Sequence, residues 1–175
     1  MIYWNKPIPY LNIDFDQYIP FIKNKWFRKH YMWFAYGLMI ILYLIAYFCH
    51  GFRAGNLFIR ILIFLIVYLV HESLHILSVC RKGDIYLSHS GLYFWLTPDF
   101  GLTKWRFWIF MTLPLIVLTG MTAVGSIFVP DGIRSYLVYI AWINAIIAGS
   151  DLINSLLIII KPPKTVFYRG YYKQI

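Results

Sequence analysis

The sequence predicts an all-α integral membrane protein, a bundle of about four transmembrane helices with a small cytoplasmic β-hairpin after the second helix. Three observations predict this class. Of 175 residues, 61% are apolar and 13% are charged, roughly half the charged fraction of an ordinary soluble domain. Four stretches come near the ~20 apolar residues that a helix needs to cross a bilayer. The 16 Lys and Arg residues, against 7 Asp and Glu, cluster beside these stretches, as positive charge does in membrane proteins.

The four apolar stretches are the predicted spans, at about 31–49, 57–79, 107–129 and 135–160. A soluble helical core is the alternative, but helices that are apolar on every face leave no surface for water. Most basic residues lie before the first span, between the second and third spans, and after the fourth. Since lysine and arginine concentrate in cytoplasmic loops, both termini are predicted to be cytoplasmic, in a multi-pass protein of the cell membrane.

The segments before and after the spans are predicted to stay outside the hydrocarbon. Residues 1–30 form a predicted cytoplasmic or interfacial segment, because their aromatic and basic residues suit the headgroup region. The aromatic residues considered are Trp4, Tyr10, Phe15, Tyr18, Phe21, Trp26 and Phe27. This segment has no apolar core of a cleavable signal peptide, so we expect the first span to act as the signal. Residues 161–175 are predicted to be a cytoplasmic tail.

The loop between the second and third spans predicts a β-hairpin. Apolar stretches at 85–87 and 92–95 flank Ser88–His89–Ser90–Gly91, which is the pattern of strand, turn and strand. The two cysteines, Cys49 and Cys80, fall at opposite ends of adjacent spans, about 30 Å apart. A disulfide needs Cα atoms within about 7 Å, so we expect both thiols to be free.

The second span contains the run His71–Glu72–Ser73–Leu74–His75. On a helix, residues i and i+4 lie on one face, so both imidazoles can bind one Zn²⁺ while Glu72 reaches the water beside it. Glu72 is the only glutamate of the sequence, and an ionisable group inside a span costs about 2.5 to 3.5 kcal/mol. A structural alternative is that the histidines bond to neighbouring helices and Glu72 is protonated or paired with Arg81.

A third metal ligand is predicted in the fourth span. Catalytic zinc sites use three protein ligands and leave one position open, and Asp151 is the only charged residue of this span. Asp151 lies ten residues before Lys161, hence about 15 Å from the cytoplasmic end, and His71 lies about as deep. Asn144 and Asn154 share nearly the same stripe. They are predicted to orient the ligands or to bind substrate, or else to form hydrogen bonds between helices.

From the second span onward, the sequence resembles intramembrane metalloproteases of the site-2 protease type. It resembles more closely the small bacterial membrane proteins of the putative zincin peptidase family. The residues that carry the resemblance are the HESLH run, Lys82–Gly83 with the hairpin after it, the Thr112–Leu113–Pro114–Leu115 segment, and Asn144 with Asp151.

The resemblance implies a role for each residue of the predicted site. In such families two histidines and an aspartate hold zinc, and the glutamate activates water. It therefore implies that His71, His75 and Asp151 are metal ligands and that Glu72 is catalytic. The chain departs from site-2 proteases near the third ligand. There it has Gly149–Ser150–Asp151–Leu152, whereas they have a proline-rich stretch followed by an Asp-Gly pair.

These observations favour an intramembrane zinc metalloprotease that holds one Zn²⁺ and hydrolyses a peptide bond of a membrane-associated protein or peptide near the cytoplasmic side. Residues 31–160 are then the catalytic domain, and the partners are membrane lipids and the substrate. The alternative is a non-catalytic membrane protein that uses the same residues for metal binding, transport, immunity or regulation. Because no basic stripe crosses a soluble domain, the excess of positive charge does not indicate a nucleic-acid partner.

Overall fold

Helices form over most of the predicted spans. The computed structural model describes residues 2–4, 18–80, 83–90 and 93–175, with the backbone alone at 2, 88–90 and 93–95. Helix α1 is Lys25–Phe48 and helix α2 is Leu57–Val79. Each helix begins after an asparagine. The Asn24 side chain accepts from the backbone N–H of Phe27, and the Asn56 side chain accepts from the backbone N–H of Ile59, both at 3.0 Å. Such caps satisfy donors that the first helical turn leaves unpaired.

The third span is one helical stretch with a wider turn inside it. Helix α3 is Lys104–Pro114, and a π-helical segment follows at Leu115–Met121. Helix α4 is Thr122–Gly125, and a short 3₁₀ turn closes the stretch at Ser126–Phe128. Helix α1, helix α2 and the stretch Lys104–Phe128 are each long and apolar enough to cross a membrane, as the sequence predicts.

The fourth predicted span is not one straight helix, so the prediction of a single helix over 135–160 is wrong. Helix α5 is Asp131–Ile147 and helix α6 is Gly149–Ile159, and they are bent by 63°. The break falls at Ala148, whose ψ of 14° interrupts the helical geometry. Together the pair is long and apolar enough to make a fourth span, and the first turn of α6 reaches α2 through the side chain of Asp151.

Many large apolar side chains of the helices lie on the outer surface of the protein. Trp33 on α1 is 75% exposed, Phe58 on α2 is 74% exposed and Phe128 is 80% exposed. A soluble protein rarely leaves so many such residues uncovered, because contact with water is unfavourable. In lipid the same surface is stable, so the fold has the features of a membrane protein.

Two small sheets among the described residues correct the prediction of an all-α protein to a mostly helical one with a small β region. Strands β1 (Ile2–Trp4), β3 (Ile85–Ser90) and β4 (Tyr93–Pro98) form the first, with β1 parallel to β3 and β3 antiparallel to β4. The antiparallel second sheet has the order β2 (Ile19–Pro20), β7 (Tyr171–Gln174), β6 (Thr165–Tyr168) and β5 (Leu102–Thr103).

The β3–β4 pair has the antiparallel pairing that the loop pattern predicts, but its strands are longer. Residues 88–90, predicted as part of the turn, belong to β3, and Ser90 lies opposite Tyr93. Gly91 and Leu92, like Tyr10, Phe15 and Arg81, lie outside the described residues. Cys49 and Cys80 are exposed and free, as predicted.

The second sheet packs against the helices through an aromatic cluster. Phe21, Ile158, Phe167 and Tyr172 are buried together, and Phe107 of α3 packs against them. Phe21, from the segment predicted to lie in the headgroup region, is 8% exposed and belongs to this core, so its ring packs against protein. The position of the segment in the headgroup region stays a prediction. The sheet thus holds the end of α6 against α3, close to the polar residues of the bundle.

Candidate metal centre

Three potential metal ligands converge in the middle of the helical bundle. His71 and His75 lie one turn apart on α2 and are 3% and 5% exposed, and Asp151, in the first turn of α6, is 9% exposed. One ligand atom from each lies within 4.8 Å of the others. The helical repeat places the two imidazoles on one face, and the bend between α5 and α6 brings the carboxylate to them.

The distances within this cluster suit a tetrahedral metal ion. His71 Nε2 lies 3.1 Å from His75 Nε2 and 3.1 Å from Asp151 Oδ2, and His75 Nε2 lies 3.3 Å from Asp151 Oδ2. Zinc bonds to nitrogen and oxygen are about 2.0 to 2.1 Å long, so tetrahedral ligand atoms are about 3.3 Å apart. The side chains therefore already have the spacing of zinc ligands.

Asn144 determines how the His71 ring is oriented. Its amide nitrogen donates to Pro114 O at 3.1 Å and to Thr119 Oγ1 at 2.9 Å. A backbone carbonyl can only accept, so Nδ2 must face Pro114 and Oδ1 must face His71 Nδ1, at 2.9 Å. The His71 Nδ1–H is thus the donor, and in the neutral ring the lone pair is on Nε2.

His75 is oriented in the same way by a backbone carbonyl. Its Nδ1 donates to Phe110 O at 2.6 Å, which again leaves the lone pair of the neutral ring on Nε2. Two imidazole lone pairs and a carboxylate oxygen then face one another, an arrangement that a cation stabilises. Nitrogen and carboxylate donors, with the other ring nitrogen bonded to an acceptor, are the ligands that zinc prefers. The residues present therefore fit a zinc ion.

Glu72 lines a cavity that also contains the three potential ligands. The cavity has a volume of about 440 Å³, and α1, α2, α3 and α6 all contribute to its walls. A second cavity of about 340 Å³ adjoins it, and Leu96, Phe110 and Met111 line both. Glu72 and the three potential ligands therefore line one cavity that is large enough for several water molecules.

Tyr31 is a further polar residue of this cavity that the sequence did not indicate. Its hydroxyl lies 3.0 Å from Ser150 O and 2.9 Å from Asn154 Oδ1. Asn154 also donates to Met111 Sδ at 3.8 Å. These contacts join α1 to α6 next to Asp151. No local pattern relates Tyr31 to a residue so far along the chain, so only the fold could reveal the contact.

The structure brings together His71, His75 and Asp151, and it places Asn144 against His71. The alternative in which the histidines bond to neighbouring helices describes their Nδ1 atoms correctly, but the Nε2 atoms converge with Asp151. Arg81, the suggested partner of Glu72, lies outside the described residues. Phe110 and Thr119, which contact the polar cluster, were not predicted, and Pro114 was named only in the segment that carries the family resemblance.

Fold and site together define the class of protein, a mostly helical chain with helices of membrane-spanning length and a candidate His–His–Asp metal centre. Comparison with known families gives a match to the family described as "Putative zincin peptidase" over residues 64–167. The match covers more than half of the 175 residues, and the chain belongs to this family. A search of curated proteins and a search of solved structures each give no match.

Family membership indicates a metallopeptidase that uses zinc, and it confirms the predicted likeness to the small zincin peptidases. The matched region contains all three potential ligands together with Glu72 and Asn144. Tyr31 lies before it. The likeness to site-2 proteases, and the role of each site residue, stay predictions.

Proposed function

We propose that this protein is an intramembrane zinc metalloprotease that hydrolyses a peptide bond of a membrane-associated protein or peptide near the cytoplasmic side. The observation that carries the proposal is the convergence of His71 Nε2, His75 Nε2 and Asp151 Oδ2 within 3.3 Å of one another. Glu72 lines the same cavity. A glutamate beside a three-ligand site is the arrangement that zinc hydrolases use.

Each residue of the site has a separate role in the proposed hydrolysis. A zinc ion held by His71, His75 and Asp151 would supply a Lewis acid that activates water and polarises a peptide carbonyl. Glu72 accepts a proton from the attacking water and then donates it to the nitrogen of the departing amine, so that the proton is conserved. Asn144 and the Phe110 carbonyl hold the two rings in place while this happens.

Access to the site follows from its depth. Asp151 lies about 15 Å from the end of its span at 1.5 Å per residue, so water must reach it through a polar cavity. A substrate helix would have to unwind to expose a carbonyl, because helical hydrogen bonds hide it. Lipids and a membrane-embedded substrate are therefore the proposed partners, and residues 31–160 are the proposed catalytic domain.

Zinc content of the purified protein tests the metal centre. We expect about one zinc ion per chain in the wild type and loss of the metal in His71→Ala, because two remaining ligands bind zinc weakly. His30→Ala is the matched control, since His30 is on the outside of α1 and donates to Trp26 O. Equal zinc in wild type and His71→Ala would exclude the proposed site.

Substitution of Glu72 separates hydrolysis from the non-catalytic alternatives. We expect Glu72→Gln to keep zinc but to lose cleavage, because the amide cannot accept the proton. The measurement compares the cleaved termini of membrane proteins, by mass spectrometry, in cells that express the wild type or Glu72→Gln. Metal binding or transport does not need this carboxylate, so an unaltered biological activity in Glu72→Gln would favour the alternative.

A further inference from the structure

Pro114 lies four residues after Phe110, whose carbonyl bonds to His75. In an α-helix the N–H of residue i donates to the carbonyl of residue i−4, so residue 114 would bond to Phe110 O. Proline has no N–H and cannot do so. The next residue, Leu115, donates to Thr112 O instead. The Phe110 carbonyl is thus left without its helical donor, and His75 Nδ1 donates to it at 2.6 Å.

The carbonyl of Pro114 is linked to His71 through the side chain of Asn144. Asn144 Nδ2 donates to Pro114 O at 3.1 Å, and Asn144 Oδ1 accepts from His71 Nδ1 at 2.9 Å. The π-helical segment begins directly after Pro114 and brings Thr119 Oγ1 to 2.9 Å from the same amide nitrogen. Both atoms that face Nδ2 accept hydrogen bonds, so the amide has one orientation.

We propose that Pro114 is a positioning residue that sets the tautomers of both metal-binding imidazoles. Because Pro114 has no N–H, it leaves Phe110 O free to accept from His75 Nδ1. The Pro114 carbonyl accepts from Asn144, which in turn orients His71. Each ring then donates from Nδ1 and presents the Nε2 lone pair to the cluster. Pro114 is fully buried, so neither contact competes with water. This inference rests on the proposed metal centre and adds a residue that determines its affinity.

A pair of replacements at position 114 tests the missing donor. Pro114→Ala restores an N–H that can bond to Phe110 O and compete with His75. Lactic acid at position 114, incorporated by nonsense suppression, has the side chain of alanine but an ester oxygen in place of the N–H. We expect Pro114→Ala to bind zinc about tenfold to a hundredfold more weakly, as when an outer partner of a metal ligand is lost. The lactic acid variant should keep close to wild-type affinity.

The measurement is a zinc titration against a competing chelator, with a ¹⁵N spectrum of the zinc-free histidine rings as a readout independent of zinc. We expect the wild type and the lactic acid variant to show Nδ1-protonated rings, and Pro114→Ala to show a mixture at His75. Pro130→Ala, in the turn before α5, controls for the loss of a proline. If Pro114→Ala does not fold, the lactic acid variant still tests the claim, since weak zinc binding there would overturn it.

Two other results would also overturn the inference. If zinc affinity falls by the same factor in the alanine and lactic acid variants, the effect comes from the shape of the proline ring. If both variants keep wild-type affinity, Pro114 has no positioning role. Neither result affects the proposed function, because the wild type would still bind zinc. Absence of zinc from the wild type would instead exclude the metal centre itself.

Discussion

At the residue scale, each imidazole of the candidate metal centre has one nitrogen for the cluster and one for the surrounding protein. His71 and His75 use Nδ1 as a donor to fixed oxygen acceptors, Asn144 Oδ1 and Phe110 O. A ring held in this way has lost its freedom to rotate before a metal arrives, so less ordering is needed on binding. The polar residues behind the ligands therefore determine affinity as much as the ligands do.

Asn144→Ala is expected to weaken zinc binding about tenfold to a hundredfold, because His71 loses the acceptor that orients it. Asn144 is completely buried, so water cannot readily replace its amide. Asn154→Ala is the matched control. Asn154 contacts Tyr31 and Met111 rather than either imidazole, and it should keep wild-type affinity in the same chelator titration. Equal losses in both variants would contradict the role of Asn144.

At the scale of elements, the bend between α5 and α6 decides where Asp151 lies. A straight helix over 135–160 would carry Asp151 along a single axis, whereas the 63° bend turns the first residues of α6 towards α2. Gly149 allows α1 to approach closely at this point. A Cβ added there would lie 2.6 Å from Met39 Cγ and 3.5 Å from Ala35 O, so a side chain would press α1 away from the bend.

Gly149→Ala is expected to destabilise the fold by about 1 to 3 kcal/mol through overpacking. It should also lower zinc affinity, since Asp151 follows two residues later. Gly132→Ala is the control, because a Cβ there meets nothing within 4 Å, so the substitution should not destabilise the fold through overpacking. Thermal unfolding in detergent and zinc titration measure both effects. Met39→Ala should restore stability to Gly149→Ala, and failure of this rescue would show that the contact with Met39 is not the cause.

At the scale of the whole molecule, polar contacts join segments outside the helices to one another. Asp99, after β4, accepts from Tyr168 Oη at 2.7 Å and from Arg169 Nη2 at 2.5 Å. Burial and the neighbouring Asp99 carboxylate both raise the pKa of Tyr168, so its hydroxyl remains a donor. Lys161 Nζ donates to Phe21 O at 2.6 Å, which joins the segment before α1 to the end of α6.

Asp99→Asn is expected to destabilise the protein by about 1 to 3 kcal/mol, because a neutral amide replaces the charged acceptor of two hydrogen bonds and the ion pair with Arg169 is lost. Residues 161–175 should become more susceptible to added protease. Asp131→Asn removes an ion pair with Arg134 in which the aspartate side chain is 91% exposed, and such surface pairs contribute about 0 to 1 kcal/mol. The melting temperature and the proteolysis rate in detergent compare the two variants, and similar effects would show that the Asp99 contacts do not fasten the tail.

Local pattern alone determined the helices of membrane-spanning length and the shared face of His71 and His75, because apolar length and a four-residue spacing act within one helix. Only the tertiary structure decided the break at Ala148, the contacts of Asn144 and Tyr31, and the sheet that buries Phe21. Asp151 was a candidate because it is the only charge of its span, but only the tertiary structure shows that it meets the two histidines, in the first turn after the bend. These features join residues far apart along the chain, and packing between elements, rather than local spacing, determines where such residues meet.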